Sequence, residues 1–393
     1  MNECVTCRCM GKDTVALTPS IAFMRILVTG GAGFIGSNFV RHLLGTSPGE
    51  MGMVVEKVIN LDKLTYAGNR GNLADLQGDT RHLFVEGCIG DTALIGKLLH
   101  EYHIDSIVHL AAESHVDRSL DNAAEFINTN VLGTQRLLEA YYRYLGKSGR
   151  RDARMCSMAD GGSGVFINVS TDEVYGSLDP SDKPFDEDSP YAPNSPYSAS
   201  KAAADHMARA SHQSFGVPVI TTHCSNNYGP FQFPEKLIPL MIRKASRGEE
   251  LPVYGDGGNM RDWIHVSDHC SALCAALFKG VPGKNYLIGG RCAKSNLEVV
   301  HEIIDIVKEM VPSPARAVNR DLIRFVEDRP GHDRRYEVDP TRIENELGWH
   351  AKIGFREGLR STVQWYFDHE EWIGEIERKS YLGQRLGLRG ILE

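Results

Sequence analysis

Met24-Arg25-Ile26-Leu27-Val28-Thr29-Gly30-Gly31-Ala32-Gly33-Phe34-Ile35-Gly36 runs from an apolar stretch straight into a glycine-rich turn. The apolar residues do not alternate with polar ones, which suits a strand covered on both faces of a parallel sheet. Gly30, Gly33 and Gly36 give the spacing G-x-x-G-x-x-G, and Phe34–Leu44 continues with helical periodicity. In such a strand–turn–helix the first glycine permits the tight turn. The second lets a pyrophosphate approach the backbone, and the third lets helix and strand pack closely. The helix N-terminus then faces the phosphates. Glycine spacing alone is a weak signal; its place between strand and helix gives it weight.

Working outward, the pattern repeats. Val54–Leu61 reads as a second strand ending at Asp62, Arg81–Glu86 as a third, and Ser106–Ala112 as a fourth after a helical stretch at Ala93–Tyr102. Ala123–Tyr144 reads as one long helix, Val165–Ser170 as the fifth strand, Pro196–Ser214 as a helix and Val217–Ser225 as the sixth strand. Strands alternating with helices imply a doubly wound parallel α/β sheet, a Rossmann architecture. Past residue 226 the alternation fades and Pro, Gly and charged residues become frequent, with helical stretches at Lys236–Arg247 and Thr341–Leu347. The expected organisation is an extension over 1–23, a dinucleotide-binding domain over 24–225 with a returning segment near 264–290, and a smaller α/β substrate-binding domain over most of 226–393. Gly146–Gly164 lacks periodicity and reads as a surface loop.

The chain has 393 residues with 43 Lys+Arg against 51 Asp+Glu, a formal charge of −8. That balance argues against nucleic-acid or anionic-membrane partners, whose footprint is excess Lys and Arg. No apolar run approaches the length of a transmembrane helix, and no secretory h-region precedes Met24. The expected location is cytoplasmic. Nine scattered cysteines suggest reduced thiols. Cys4, Cys7 and Cys9 are three thiols without a fourth ligand nearby, so no metal site is expected.

Asp62, at the end of the second strand, is placed to accept both ribose hydroxyls of NAD and to repel the 2′-phosphate of NADP. The interval from the glycine turn is longer than usual, and the extra residues fall in Thr46–Met53. Tyr197-Ser198-Ala199-Ser200-Lys201 is Y-x-x-x-K on the predicted Pro196–Ser214 helix. Residues four apart share a helix face. An ammonium beside a phenol favours phenolate, so the expectation is a lowered Tyr197 pKa and a base working near neutral pH. By itself this spacing is common by chance; after a nucleotide-binding fold, with Ser170-Thr171 ending the preceding strand, it carries weight.

Several longer stretches, in order, resemble the extended short-chain dehydrogenase/reductase superfamily, NAD-dependent epimerase/dehydratase family. They are Leu110-Ala111-Ala112-Glu113-Ser114-His115-Val116-Asp117-Arg118-Ser119, Ser170-Thr171-Asp172-Glu173-Val174-Tyr175-Gly176 and Cys224-Ser225-Asn226-Asn227-Tyr228-Gly229-Pro230. Further along come Pro234-Glu235-Lys236-Leu237-Ile238-Pro239, Arg261-Asp262-Trp263, and Asp328-Arg329-Pro330-Gly331-His332-Asp333-Arg334-Arg335-Tyr336. The resemblance runs from about Met24 to Phe367. The adjacent Asp172-Glu173 pair is similar to the dehydratases and unlike the epimerases and decarboxylases.

The resemblance implies dehydration of a nucleotide-diphosphate glucose, dTDP-glucose foremost, to a 4-keto-6-deoxy sugar, as in deoxysugar (for example rhamnose) biosynthesis. Tyr197 is the implied base at the 4-hydroxyl, with Lys201 beside it and Thr171 on the 4-oxygen. Glu173 is the implied base at C5 and Asp172 the implied acid for the departing 6-hydroxyl. These two carboxyls need opposite protonation states. By position, Phe34, Ile35, Lys63, Leu64, Thr65, Cys88, Ile89, Leu110, Ala111, Ala112, Thr129 and Asn227 are the implied further NAD contacts. Arg261 is the implied diphosphate partner, because a guanidinium fork matches phosphate oxygens. Ser114, Asn226, Lys236, Leu237, Pro252, Val253, Tyr254, Asn296, Asp328 and His332 are the other implied substrate contacts. A homodimer through the Ala123–Tyr144 and Pro196–Ser214 helices is also implied.

Three positions depart from the family pattern. Cys88 stands where a carboxylate is usual near the adenine, and a thiol is a poor acceptor; neighbouring Asp91 is a candidate replacement. His223 stands for a common Arg and Leu287 for a common Asn. Two alternatives stand beside the dehydratase: an epimerase or decarboxylase on the same fold, and a non-catalytic NAD-binding scaffold.

Overall fold

The computed structural model describes residues 22–46, 53–147, 164–311, 318–328 and 331–379. The expectations for 1–21, with Cys4, Cys7 and Cys9, and for most of the Gly146–Gly164 and Thr46–Met53 stretches lie outside the described residues. In chain order the strands are β1 (Ala22–Thr29), β2 (Met53–Asp62), β3 (His82–Glu86), β4 (Ser106–His109), β5 (Phe166–Thr171), β6 (Val219–Cys224), β7 (Asn226–Tyr228), β8 (Leu251–Tyr254), β9 (Met260–His265), β10 (Asn285–Ile288), β11 (Ala293–Ser295), β12 (Ile323–Val326) and β13 (Arg335–Tyr336).

Seven of them form one sheet in the order β10-β6-β5-β4-β1-β2-β3. Every pairing in it is parallel. The fully buried residues Ile26, Leu27 and Val28 of β1 explain the unbroken apolar run, since helices cover both sheet faces. One core cluster joins Met24, Ile26 and Val28 to the Phe34–Gly45 and Val266–Lys279 helices. A second, on the other face, joins Leu27, Ile59 and Ile107 to the Thr92–Glu101 and Thr134–Lys147 helices.

The rest of the chain builds a smaller α/β part. β9 pairs with β7 and β13 in parallel and with β11 antiparallel, and β12 pairs with β8. A third core cluster fills it, with Ile238, Met241, Val299, Ile303 and Leu359 among its members. The Asn296–Met310 helix starts in a capping box of Ser295 and Glu298, which satisfies two end groups reciprocally.

The Pro196–Phe215 helix carries its start and stop in the sequence. Ser195 caps Ser198 N in a capping box, Pro196 occupies the first turn, and Gly216 ends the helix at φ 67° in the left-handed region. The expected single helix at Ala123–Tyr144 is interrupted: Ile127–Gly133 is a π-helical turn between Ala123–Phe126 and Thr134–Lys147. Asn130 explains the wider turn. Its side chain is held by both backbone groups of Glu113, at 2.9 Å each, and by Ser200 Oγ at 2.9 Å. Such bulges gather at functional sites. Among the described residues no helix is long and apolar enough to cross a membrane, and no cluster of metal-ligating side chains occurs.

Candidate active site

The C-terminal ends of the parallel strands open onto a cavity of about 440 Å³, within the range of small-molecule sites. One end is the glycine turn. Gly30 has φ 75°, and a Cβ there would lie 2.6 Å from Ala111 N. A Cβ on Gly36 would lie 2.1 Å from Gly30 O, so helix and strand meet through that glycine. A Cβ on Gly33 would meet only Gly30 O at 3.3 Å. The protein itself asks little of Gly33; the cavity it lines does.

Asp62 closes the β1–β2 side of this cradle. Its Oδ2 accepts Ala32 N at 2.9 Å and its Oδ1 accepts Leu64 N at 2.8 Å. Each oxygen keeps lone pairs for a further donor. Burial raises the Asp62 pKa and these two N–H groups oppose the rise. Leu64 adopts φ 56° to present its N–H; it does not line the cavity, whereas Lys63 and Thr65 do. Phe34, Ile35, Cys88, Ile89, Leu110, Ala111, Ala112 and Thr129 line it as well. Asn227 does not. Its amide donates to Cys224 Sγ and Ser225 O and its oxygen meets His269 Nδ1 at 2.9 Å.

Cys88 is exposed and its Sγ accepts Gly90 N at 3.4 Å. Asp91 does not take the place of a carboxylate here: its Oδ1 caps Ala93 N and Leu94 N at the start of the next helix. The fit to NAD is otherwise good. The cavity runs unbroken from the glycine turn past Asp62 to Tyr197 and Lys201, with an apolar wall of Ile89, Leu110 and Ala112.

At its far end the Pro196–Phe215 helix faces β5. Lys201 is buried and donates from Nζ to Val169 O at 2.8 Å. Burial lowers its pKa and the buried carboxylate of Asp205, one turn further along the helix, raises it. Tyr197 hydrogen-bonds Thr171. The expected lowering of its pKa is not what this ligand-free molecule has. Burial, then the Glu173 carboxylate, push the phenol well above 10. Burial and neighbouring acids outweigh the distant benefit of an ammonium engaged with a backbone carbonyl.

Thr171 ends β5 and caps the short 3-10 turn Asp172–Tyr175. Asp172 is 2 % exposed and its Oδ2 has no hydrogen-bond partner among the described residues. Burial first, then the charges of Glu173 and Asp262, hold its pKa well above 3.8. The Arg261 guanidinium opposes this. The Glu173 charge raises the pKa values of Asp172, Tyr197 and Tyr336 alike, so all three are within its electrostatic reach. A buried acid whose pKa is pushed upward, next to a second carboxyl, is the arrangement in which two carboxyls can take separate acid and base roles.

The remaining implied contacts surround Arg261 and the cavity rim. Arg261 is buried, lies 4.3 Å over the Tyr336 ring, and donates to Met260 O and Asp333 O at 2.7 and 3.0 Å. Asn226 Oδ1 is buried without a partner. Lys236 reaches Ser114 O at 3.2 Å, and both residues line the cavity; Leu237 starts the next helix. Tyr254 lies against His332, whose Nδ1 is 2.6 Å from Asp328 Oδ1. Pro252 and Val253 precede Tyr254 on β8, and Val253 is a core residue whose side chain points away from solvent. Asn296 donates its backbone N–H to Asn259 O.

The cavity also holds residues that motif spacing does not single out: Tyr66, Glu113, Arg136, Gln232, Phe233 and Glu235. Glu235 is buried between Arg118 at 3.1 Å and His115 at 3.4 Å, and burial raises its pKa. Glu113 and Glu235 sit inside two of the stretches quoted above, but a surface carboxylate there would look the same in sequence.

The GDP-mannose 4,6 dehydratase family model matches residues 27–362. A dTDP-glucose 4,6-dehydratase of Xanthomonas campestris pv. campestris (strain B100) is 50% identical over 364 residues, 92% of this chain and 98% of that protein. The dTDP-glucose 4,6-dehydratase of Escherichia coli is 45% identical over 376 residues, 93% of this chain and 99% of that protein. The crystal structure of the dTDP-glucose 4,6-dehydratase DesIV from Streptomyces venezuelae, with NAD and TYD bound, is 44% identical with a TM-score of 0.80 over 90% of this chain and 100% of that one. A UDP-glucose 4-epimerase of Thermus thermophilus in complex with NAD is 28% identical with a TM-score of 0.73, covering 88% of this chain and 100% of that one.

Proposed function

The chain belongs to the NAD-dependent epimerase/dehydratase family and, within it, to the dTDP-glucose 4,6-dehydratases, and from that membership we propose how its residues dehydrate dTDP-glucose to the 4-keto-6-deoxy sugar. It is a hydro-lyase with NAD as cofactor. The observation that carries the dehydratase reading is Asp172: 2 % exposed, next to Glu173 in the chain, with Oδ2 unpartnered among the described residues and a pKa that burial and then Glu173 push upward. An epimerase has no departing hydroxyl and no use for such an acid. A scaffold would gain stability by replacing it.

NAD, held between the glycine turn, Asp62, Cys88 and Lys201, supplies the two-electron acceptor that takes hydrogen from sugar C4 and returns it at C6. The chain's own residues move the protons. Tyr197 removes the proton of the 4-hydroxyl, and Thr171, its hydrogen-bond partner, holds the 4-oxygen. Burial and Glu173 push the Tyr197 pKa upward, and positive charge brought into the site by the cofactor would act in the opposite direction. Once C4 is a ketone, the C5 proton is acidic and Glu173 takes it. Asp172 delivers its proton to the 6-hydroxyl, which leaves as water; when hydride is returned at C6, the protonated Glu173 gives a proton back to C5, and the proton that Tyr197 took from the 4-hydroxyl restores Asp172 by way of solvent. Arg261 binds the diphosphate, with Ser114, Asn226, Lys236, Leu237, Pro252, Val253, Tyr254, Asn296, Asp328 and His332 forming the rest of the nucleotide-sugar pocket.

The same proposal divides the chain into a nucleotide-binding part, 24–225 with 264–290, and a mainly substrate-binding remainder. It includes a homodimer through the 123–147 and 196–215 helical segments. Ile127 at 51% and Phe215 at 56% exposure leave apolar surface there, and Ile127→Glu should yield a monomer in sedimentation.

Incubation with dTDP-glucose carrying deuterium at C4 tests the reaction. The expected product has lost one water and carries the deuterium at C6. A product of unchanged mass, or deuterium released to solvent, would overturn it.

A further inference from the structure

The last described helix, Glu370–Lys379, lies about 300 residues from the cofactor cradle in sequence yet is wired to it. Trp372 Nε1 donates to Asn72 Oδ1 at 2.7 Å. Asn72, 2% exposed, donates from Nδ2 to Ala32 O at 2.8 Å. Ala32 in turn gives its N–H to Asp62 Oδ2 at 2.9 Å. Three hydrogen bonds therefore join the indole to the carboxylate at the ribose end of the cavity.

The same helix grips both rims. Ile376 and Phe233 form a small buried cluster with Tyr66, Ala67 and Trp372 packed against it. Tyr66 and Phe233 meet edge to face at 5.5 Å, and both line the cavity from opposite segments of chain. Phe231, at φ 67°, turns its ring onto Trp365 at 4.6 Å and Trp372 at 6.0 Å, with Arg41 stacked over it at 4.2 Å. Tyr366 donates to Gln232 O at 2.6 Å. The segments 65–68 and 232–236 are thus tied down from behind rather than by each other alone.

We propose that Trp372 is a positioning residue for the bound dinucleotide, acting through Asn72 and Ala32 on Asp62 and through Phe233 on the opposite rim, so that the cofactor stays in place for the whole cycle. The proposal rests on the NAD reading above and specifies what retains the ligand. A reaction that takes hydrogen at one carbon and returns it at another needs the same cofactor molecule at both steps. A cofactor lost in between leaves an oxidised sugar behind. Fixed side chains outside the cavity hold the cradle before ligand arrives, which lowers the ordering cost of binding.

The test uses the full-length protein loaded with NAD. Trp372→Phe keeps a ring among Phe231, Trp365 and Tyr366 but loses the N–H donor and part of the ring contact; Asn72→Ala removes the next link and leaves the indole's packing in place. NAD release is followed by rapid desalting and chemical assay of the retained cofactor. Loss of one buried hydrogen bond corresponds to roughly five- to tenfold faster release. Activity lost on desalting should return with added NAD. Trp372→Phe and Asn72→Ala share the indole–amide hydrogen bond, so Trp372→Phe/Asn72→Ala should release NAD faster than Asn72→Ala alone, through the Phe233 route, but by less than the two separate effects combined. Amide exchange in 65–68 and 232–236 should quicken in Trp372→Phe. Ile376→Ala, which loosens the Phe233 contact, gives an independent second variant with the same expected faster release. Wild-type cofactor lifetimes in Trp372→Phe and Ile376→Ala, with the wild-type protein holding NAD, would overturn the inference alone. A wild-type protein that holds no NAD would sink the cofactor reading and the inference together.

Discussion

Lys201 donates its ammonium to the carbonyl oxygen of Val169 at 2.8 Å, one turn along the helix from Tyr197 and two residues ahead of Thr171 on β5. The lysine therefore pins the helix that carries the phenol to the strand that leads into the turn carrying the acids. Lys201→Met should lower kcat by about 100-fold or more, the scale of losing a positioned acid–base group. Lys201→Arg should not restore it, because a planar fork does not fit a site shaped for a compact ammonium. Steady-state rates on dTDP-glucose check both.

Asp172→Asn should reduce turnover by about 100- to 10,000-fold, since an amide cannot deliver a proton to the leaving hydroxyl. In the proposed sequence the earlier steps belong to Tyr197 and Glu173, so they should survive. The expected signature is reduced cofactor accumulating on the enzyme during turnover, seen by its absorbance, together with solvent exchange at sugar C5.

The same substitution should stabilise the protein at neutral pH. The folded pKa of Asp172 lies well above its ordinary 3.8. Below about 3.8 both folded and unfolded forms hold the proton, and the group is neutral to stability. As pH rises past that value the unfolded chain loses its proton first, and stability falls until the folded pKa is passed. Asp172→Asn, which cannot ionise, should be more stable than the wild type at neutral pH and gain nothing in acid. Denaturant melts at both pH values check the difference. For the wild-type enzyme, activity should decline at high pH as Asp172 loses its proton.

Asp62→Ala removes the acceptor of Ala32 N and Leu64 N as well as the carboxylate facing the ribose site. Hydrogen bonds to charged groups are worth about 1.5–3 kcal/mol, so NAD affinity should fall by roughly 10- to 100-fold. Discrimination against NADP should shrink with it. Titration of both cofactors checks the pair of outcomes.

Gly36→Ala places a methyl 2.1 Å from Gly30 O and 2.7 Å from Gly31 Cα. Both are backbone atoms and cannot swing aside. A loss of about 1–3 kcal/mol in stability is expected, together with loss of NAD binding. Gly33→Ala meets only Gly30 O at 3.3 Å and should keep its stability while losing affinity. Thermal unfolding beside cofactor titration separates the two glycines.

How much of this was legible in the sequence follows from distance along the chain. The glycine turn and Asp62 belong to one strand–helix–strand unit, so local pattern alone places them together. Tyr197 and Lys201 are one helical turn apart, so spacing alone puts them on one face. The sign of the Tyr197 shift was not legible, because it depends first on burial, which no motif states, and then on the carboxylates of Glu173 and Asp172 arriving from another element. The π-helical turn at Ile127–Gly133 reads as ordinary helix in the sequence, since its cause is the Asn130 amide bonded to Glu113, 17 residues earlier. The link from Trp372 to Asn72 spans 300 residues and leaves no periodic trace.

β10 completes the large sheet by pairing with β6 in parallel, Asn285 to Thr221 through Ile288 to Cys224. During synthesis the ribosome must therefore extend some sixty residues past β6 before that strand gains its outer neighbour. Until then β6 is an open edge with backbone groups unpaired along one side, able to recruit a strand from another nascent chain. Cutting the gene after residue 225 would make that transient state permanent, so the first half of this protein is a poor candidate for transplantation as a free-standing nucleotide-binding module.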